Sequence, residues 1–182
     1  MACIGKITSD LLYDCANLGA VNGVGEIDEA IVVNSADISS FSDAGDLSGT
    51  LVMQTGKKGY VVNSINNSVM YQEAIKANDT VPAAEDQSVI IKTLANNITD
   101  AKVYRLALVN LIRGNYRVAL KTKAGKYFLA GAFCGLEASD LATDSSTGGI
   151  STVTLKTPEG STGDILVELT KANYDGLKIP KV

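Results

Sequence analysis

The stretch YRVALKTKAGKYFLA, residues 116–130, decides the fold class of this chain. It holds two runs of β-branched and aromatic residues, 116–122 and 126–130, separated by Lys-Ala-Gly. Two such runs around a short turn containing Gly are typical of a β-hairpin. Alternation along the runs places Val118, Leu120, Phe128 and Ala130 on one apolar face. The sequence therefore predicts a β-hairpin over residues 116–130, the strongest hairpin signal in the chain.

Further short strands are predicted on both sides of this hairpin. They are residues 28–33; 51–53 and 59–62, joined as a hairpin around 54–58; 88–94; and 151–156 with 164–169 as a last hairpin. Residues 68–75 alternate without a clean apolar face, which favours an edge or interface strand. About eight strands at this spacing predict a mainly β fold, a β-sandwich or small barrel.

One α-helix is predicted at about residues 100–113, packed on the strands. Thr99 or Asp100 is placed to cap its first turn, and Gly114 is placed to end it. Arg113 in the last turn suits the helix dipole. The side chains predicted to face the core are Val103, Leu106, Ala107, Asn110 and Leu111.

The chain has 182 residues, 46% of them apolar, which is enough for one domain spanning 1–182. Within it, residues 1–26 are predicted to form an N-terminal arm. Two segments rich in Ser, Asp and Gly, 36–49 and 139–150, are predicted to be long polar loops. Residues 171–182 are predicted to be an extended C-terminal tail.

The chain contains no histidine, which excludes several classes of enzyme. Ser-His-Asp and Cys-His hydrolases and His-ligated metal sites all need that residue. The glycine-rich segments 19–25 and 56–58 fit neither a dinucleotide fingerprint nor a phosphate loop. Carboxylate pairs remain a possible chemistry, but they lie in loop-like stretches. We expect no enzyme, no cofactor and no metal site.

Charge and cysteine usage limit the partners and the compartment. The net charge is −4 without a basic stripe, so binding to nucleic acid through a basic surface is not expected. Cys3, Cys15 and Cys134 are too scattered for a disulfide framework and are predicted to be free thiols. No export signal and no run long enough to cross a bilayer is visible, so we expect no membrane association.

Residues 108–118, 125–131 and 135–137 together resemble the tail-tube-like structural proteins of tailed bacteriophages, especially those of Bacteroides-type bacteria. The shared order is strand, short helix, Gly, strand, charged hairpin ending in Gly-Lys-Tyr, Gly-Leu-Glu, a Thr/Gly-rich loop and a last hairpin. Residues 88–169 follow that order. The opening residues, with a Gly-rich turn before 31–34, are also similar. Residues 143–149 lack the family's usual aromatic and Asn-Gly segment, which leaves the subfamily open.

The resemblance implies a virion protein that self-assembles into a ring around a DNA passage. Its position would be the tail tube, the tail completion or a portal-proximal ring, and it would be made and assembled in the bacterial host cytoplasm. Implied partners are copies of itself and other portal, neck or tail proteins, with DNA only passing through the lumen. The alternative is a head-decoration, fibre or carbohydrate-binding β-module, and a carboxylate-based hydrolase is a more distant one.

Six residues are candidate assembly contacts. They lie in segment 36–49, expected to reach a neighbouring ring, and in the edge-like strand 68–75. The six are Phe41, Asp43, Asp46, Leu47, Tyr71 and Glu73.

Overall fold

The computed structural model describes residues 25–63, 68–76, 84–93, 101–147, 150–161 and 164–180. Eleven strands and two α-helices lie in these ranges. The strands are β1 (Ile27–Asn34), β2 (Ile38–Asp43), β3 (Ser48–Met53), β4 (Tyr60–Asn63), β5 (Val69–Lys76), β6 (Ala84–Thr93), β7 (Asn115–Thr122), β8 (Tyr127–Ala130), β9 (Leu136–Asp144), β10 (Ile150–Lys156) and β11 (Val167–Leu169), and the helices are α1 (Ala101–Arg113) and α2 (Lys171–Gly176).

Strands β1 and β7 form the centre of one branched sheet. One edge of β7 pairs along its length with β1, which in turn pairs with β4. The other edge is shared: residues 118–121 pair with β8, and Asn115 and Tyr116 pair with β9. One branch continues from β8 through β11 and β3 to β2, and the other from β9 through β10 and β6 to β5. Only the short β3 to β11 pairing is parallel.

The two branches bury opposite faces of the central pair. Ala30 and Val32 of β1 lie in a first core with buried side chains of β5, β6, β9 and β10. Ile31 and Val33 lie in a second core with side chains of β3, β8, β11 and α2. Successive side chains of a strand point to opposite faces, so a strand apolar at every position is buried on both. The mainly β, sandwich-like fold predicted from the sequence is confirmed.

The hairpin at 116–130 is confirmed as β7 and β8, with Val118 opposite Ala130 and Leu120 opposite Phe128. Gly125 in its turn has φ +79°, a conformation that favours glycine. Val118, Leu120 and Ala130 are fully buried in the first core, and Phe128 packs on it. The strand predicted at 28–33 is also confirmed, as β1.

Both other predicted hairpins are wrong. Residues 51–53 belong to β3, which pairs with β2 and β11, whereas β4 pairs with β1. Strand β10 pairs with β6 and β9, whereas β11 pairs with β8 and β3. In each case the strand before the turn-like segment forms a hairpin with the preceding strand, β2 or β9, and the strand after it pairs elsewhere in the fold, because each strand pairs where its apolar side chains reach a core.

Both segments predicted to be long polar loops contain regular structure, and the predicted C-terminal tail is not simply extended. Segment 36–49 contains β2 and the start of β3, and segment 139–150 contains most of β9 and the start of β10. Most side chains of β2 and β9 are exposed, and Ile38, Phe41 and Leu141 are half-buried apolar positions among them. Segment 171–182 begins with α2, capped by the Thr170 hydroxyl and anchored by buried Tyr174 and Leu177. Most of the predicted arm, 1–26, lies outside the described residues.

Helix α1 has the predicted position, but its predicted core face is wrong. Leu108, with half-buried Tyr104 and Leu111, packs on the first core. Of the five predicted core residues only Leu111 does so; Val103, Leu106, Ala107 and Asn110 are exposed. Apolar side chains surround most of this helix, so periodicity alone selected the wrong stripe. The predicted cap residues, Thr99 and Asp100, lie outside the described residues.

Gly114 follows α1 because the chain turns back closely there. A Cβ at this position would lie 2.1 Å from the Tyr116 hydroxyl oxygen. That hydroxyl donates a hydrogen bond of 2.5 Å to the Asn110 carbonyl oxygen in the last turn of α1. A side chain at 114 would therefore displace the ring that joins α1 to β7.

Ile31 provides a test of the double-sided centre. We expect Ile31→Ala to lower the free energy of unfolding by about 2–5 kcal/mol, because the lost methyl groups leave a cavity between well-packed strands. Val61→Ala, on neighbouring β4 where Val61 is 45% exposed, is the matched control and should change it by less than about 1 kcal/mol. Urea denaturation measures both, and similar effects would contradict burial of β1 on both faces.

Candidate assembly surfaces

The six candidate contacts divide between the two ends of the strand path. Among the described strands, β2 pairs only with β3 and β5 pairs only with β6. Phe41 and Asp43 belong to β2, Asp46 and Leu47 to the turn after it, and Tyr71 and Glu73 to β5. The structure therefore brings them to two separate edges, not to one cluster.

Strand β5 is a long, regular edge strand, as the sequence predicted. Its register with β6 runs without a bulge from Val69 opposite Ile91 to Lys76 opposite Ala84. The amide of Lys92 donates to the Ser68 carbonyl oxygen at 2.7 Å, which sets the alternation of the antiparallel ladder. By that alternation, the backbone amide and carbonyl groups of Tyr71 and Glu73 point away from β6. They are placed to pair with another strand.

Strand β2 presents the same kind of edge at the other end. The Ala44 amide donates to the Ser48 carbonyl oxygen at 2.9 Å across the β2–β3 hairpin. The same alternation directs the backbone groups of Phe41 and Asp43 away from β3. Leu51 of β3 lies opposite Phe41. Its amide donates to Asn173 Oδ1 at 3.0 Å, and its carbonyl oxygen accepts from Asn173 Nδ2 at 2.8 Å. The α2 side of β3 is thus occupied, whereas the outer edge of β2 faces no described strand.

The tip of the β2–β3 hairpin, residues 43–48, has a defined conformation. Asp43 accepts a hydrogen bond from the Gly45 amide at 2.9 Å, and Asp46 accepts one from the Ser48 amide at 3.1 Å. Between them Leu47 has φ +63°, the only positive φ of a non-glycine residue in the described chain. This conformation costs an ordinary L-residue about 1–2 kcal/mol. The side chain it presents is 56% exposed.

Phe41 connects the β2 edge to the interior. Its ring lies edge-on to Phe133 at 5.4 Å between centroids, and the Arg117 guanidinium lies 5.3 Å from the ring centre. The Nε and Nη1 atoms of Arg117 are buried without a hydrogen-bond partner. Cation–π contact with Phe41 therefore partly replaces hydration of this guanidinium. Phe41 acts as an anchor of β2, while only its backbone faces outward.

Buried Asp164 and Gln87 hold the turn that carries Phe133, residues 131–135. The Asp164 carboxylate accepts the Phe133 and Cys134 amides at 3.1 and 2.9 Å. Gln87 Oε1 accepts the Gly131 amide at 2.9 Å. Both side chains are essentially inaccessible to solvent, so these bonds satisfy backbone groups that water cannot reach. This network could not be predicted from the sequence, because its members are far apart along the chain.

Acidic groups gather beside this turn at the β5 end. Burial, then the neighbouring charges of Glu73 and Asp164, raises the pKa of Glu85. Burial likewise raises the pKa of Asp164, although the backbone amides of residues 133 and 134 act against it. Tyr71 packs on the first core, and its buried hydroxyl has no hydrogen-bond partner. Burial is also the main cause that raises the pKa of Tyr71, followed by the charge of Glu73.

The described residues contain an open groove and no cluster of metal-ligating side chains. No group of three or more His, Cys, Asp or Glu side chains in those ranges is placed to hold a metal ion. An open groove of about 730 Å³ lies between the hairpin tip, the β7–β8 turn and α2. Lys126 and Glu168 at its wall pair at 3.5 Å. Cys134 is half-buried, whereas Cys3 and Cys15 lie outside the described residues.

Comparison with protein-family models, with curated proteins and with solved structures gave no match. Neither described helix is long and apolar enough to cross a membrane.

The acidic group predicts an unusual pH dependence. A carboxyl whose pKa is higher in the folded chain than in the unfolded chain favours folding when it is protonated. The free energy of unfolding therefore rises as the pH falls from 7 toward the pKa of the unfolded chain, which is near 4. Several exposed or half-buried aspartates have lowered pKa values through side-chain hydrogen bonds, and their contribution is lost only below about pH 4–5. We therefore expect a higher free energy of unfolding at pH 5 than at pH 7.

Glu85→Gln tests the source of that rise. This variant cannot gain stability by protonation at position 85, so its increase between pH 7 and pH 5 should be smaller than that of the unmodified chain. Glu159→Gln, on an exposed turn, is the matched control. Urea denaturation at both pH values measures the difference, and an unchanged increase in Glu85→Gln would contradict the assignment.

Proposed function

We propose that this chain is a structural subunit of a phage particle, part of a tail tube, a tail completion or a portal-proximal ring. Copies of it assemble into a ring that forms part of the DNA passage. The observation that carries the proposal is the pair of edges at opposite ends of the strand path, β2 and β5. Each directs backbone donors and acceptors outward at candidate contacts, Phe41 and Asp43 on one side, Tyr71 and Glu73 on the other.

The two edges favour head-to-tail association. Pairing β5 with β5 of a second copy would make a closed dimer and leave both β2 edges open. Pairing β5 with β2 of the next copy uses both edges of every copy, and a constant rotation between copies closes such a chain into a ring. Ring closure also removes the exposed strand edges that otherwise lead to aggregation.

Natural monomers usually protect an edge strand with a bulge, a proline or a lysine pointing outward. Strand β5 has neither bulge nor proline over its eight residues. Strand β2 has a register shift between Ile38 and Ser40, but residues 41–43 pair regularly with β3. In each edge strand, the residues that pair regularly with the neighbouring strand include those whose backbone groups point outward. This supports a role of these edges in pairing with another strand.

The polar interior supports a structural role over a catalytic one. The one fully buried carboxylate among the described residues, Asp164, is committed to backbone amides and is not open to a substrate. The chain has no histidine that could serve as a general base. Its net charge of −4 suits a lumen that lets DNA pass without binding it. Other portal, neck or tail proteins are the further partners of such a ring, in virions assembled in the host cytoplasm.

Glu73→Pro tests edge pairing directly. The Glu73 amide points away from β6, so proline removes an outward donor while the β5–β6 ladder keeps its hydrogen bonds. We expect the unmodified chain to form rings or ring-derived oligomers, and Glu73→Pro to remain monomeric with an unchanged far-UV circular dichroism spectrum. Sedimentation velocity and negative-stain electron microscopy measure the assembly state.

Glu73→Ala is the matched control, because it removes the same carboxylate but keeps the amide, and it should still assemble. An unmodified chain that stays monomeric at all concentrations, alone and with phage neck or tail proteins, would overturn the proposed function. Specific binding on a glycan array by that monomer would favour the carbohydrate-binding alternative.

A further inference from the structure

The outer face of α1 is apolar and exposed. Val103, Leu106 and Val109 are 56%, 60% and 38% exposed, on the side away from Leu108 and the first core. A helix on the surface of a monomer normally buries its apolar stripe and leaves a polar one in solvent. On α1 three exposed apolar side chains lie on the outside, on the same side of the helix as exposed Lys102, Asn110 and Arg113, so a partner for this face would need both apolar and acidic groups.

The charge of α1 restricts what that partner can be. Residues 101–113 contain three cations, Lys102, Arg105 and Arg113, and no carboxylate. The whole chain has a net charge of −4, so the residues outside α1 carry a net −7. Two α1 helices would repel each other, whereas an acidic apolar surface of a second copy is complementary.

Among the described residues, one exposed apolar side chain has the required acidic surroundings. Leu47 follows Asp43 and Asp46, with no cation in the tip, residues 43–48. Tyr60 and Ile179 lie beside lysines, and Phe133 and Ile165 lie beside Asp164, which is buried and bound to backbone amides. Among the described residues, the β2–β3 tip combines an exposed leucine with exposed carboxylates, and Lys126 and Lys171 line the groove next to it.

The backbone conformation of Leu47 presents its side chain to solvent. A φ of +63° is one that glycine or asparagine adopts at little cost, so a leucine there is strained. The Leu47 carbonyl oxygen accepts the Glu168 amide of β11 at 2.7 Å, which helps to hold the turn in this conformation. The side chain is not buried in its own molecule, so it can contact another copy.

We propose that the outer face of α1 binds the β2–β3 tip of a second copy. Leu47 packs among Val103, Leu106 and Val109, and the tip carboxylates lie near the cations of α1. The inference rests on the proposed function in that its partner is a second copy, but the contact is separate from edge pairing. Each copy carries one tip and one helix, so the contact is head-to-tail and adds to ring assembly or ring stacking.

Disulfide trapping tests the contact. In a background with Cys3→Ser, Cys15→Ser and Cys134→Ser, a Leu47→Cys protein is mixed with a Leu106→Cys protein and oxidised. We expect a cross-linked dimer of the two proteins on a non-reducing gel. Val61→Cys in place of Leu106→Cys is the matched control, because Val61 is also exposed but lies on β4. No dimer with Leu106→Cys, or the same yield with Val61→Cys, would overturn the proposal.

Leu47→Gly gives the energetic test without a folding defect. Glycine tolerates the positive φ, so the fold should be retained, whereas loss of the apolar side chain should weaken association at least about tenfold. Arg105→Glu should weaken it about fivefold, and mixing that protein with Asp46→Lys should restore the mixed contact. Sedimentation velocity measures each change, and wild-type association of Leu47→Gly would overturn the proposal.

These results separate the two contacts. If Glu73→Pro abolishes assembly while Leu47→Gly leaves it unchanged, edge pairing stands and the tip-to-helix contact is wrong. If the unmodified chain never associates, both are wrong.

Discussion

The antiparallel pairing of β1 with β7 is the interaction on which the rest of the structure depends. Both strands are apolar at consecutive positions, so neither can leave a face in water. One sheet branch covers each face, and two cores result, one around Val32 and Val118, the other around Ile31 and Ala119. Because the branches leave the centre in opposite directions, their last strands, β2 and β5, become the two ends of the strand path.

The polar interior fixes how one branch approaches the centre. Asp164 and Gln87 hold the turn at 131–135, and that turn places Phe133 against Phe41 of β2. The anchoring of the β2 edge therefore depends on a buried carboxylate at the other branch. The proposed edge pairing needs such anchoring, because an edge strand that frays cannot pair in register.

Four surface features support the proposed self-association. The regular edge of β5 and the outward backbone groups of β2 are complementary, and so are the acidic tip that carries Leu47 and the basic, partly apolar face of α1. Both proposed contacts are head-to-tail, so they are compatible with a single cyclic arrangement. The residues outside α1 carry a net negative charge, which leaves α1 as a local cationic surface.

The sequence by itself determined the local elements: the β7–β8 hairpin, β1, the position of α1 and the edge character of β5. These depend on short-range alternation, turn chemistry and the glycine after the helix. Only the tertiary structure decided which strands pair across long separations, why β3 and β4 are not a hairpin, and which stripe of α1 is buried. All apolar surfaces of the chain compete for burial in two cores, and this competition decides which strands pair and which side chains are buried. A local pattern such as Val103 with Leu106 contains no information about that competition. For the same reason, Asp164, Gln87 and Arg117 could not be recognised before the fold brought them together.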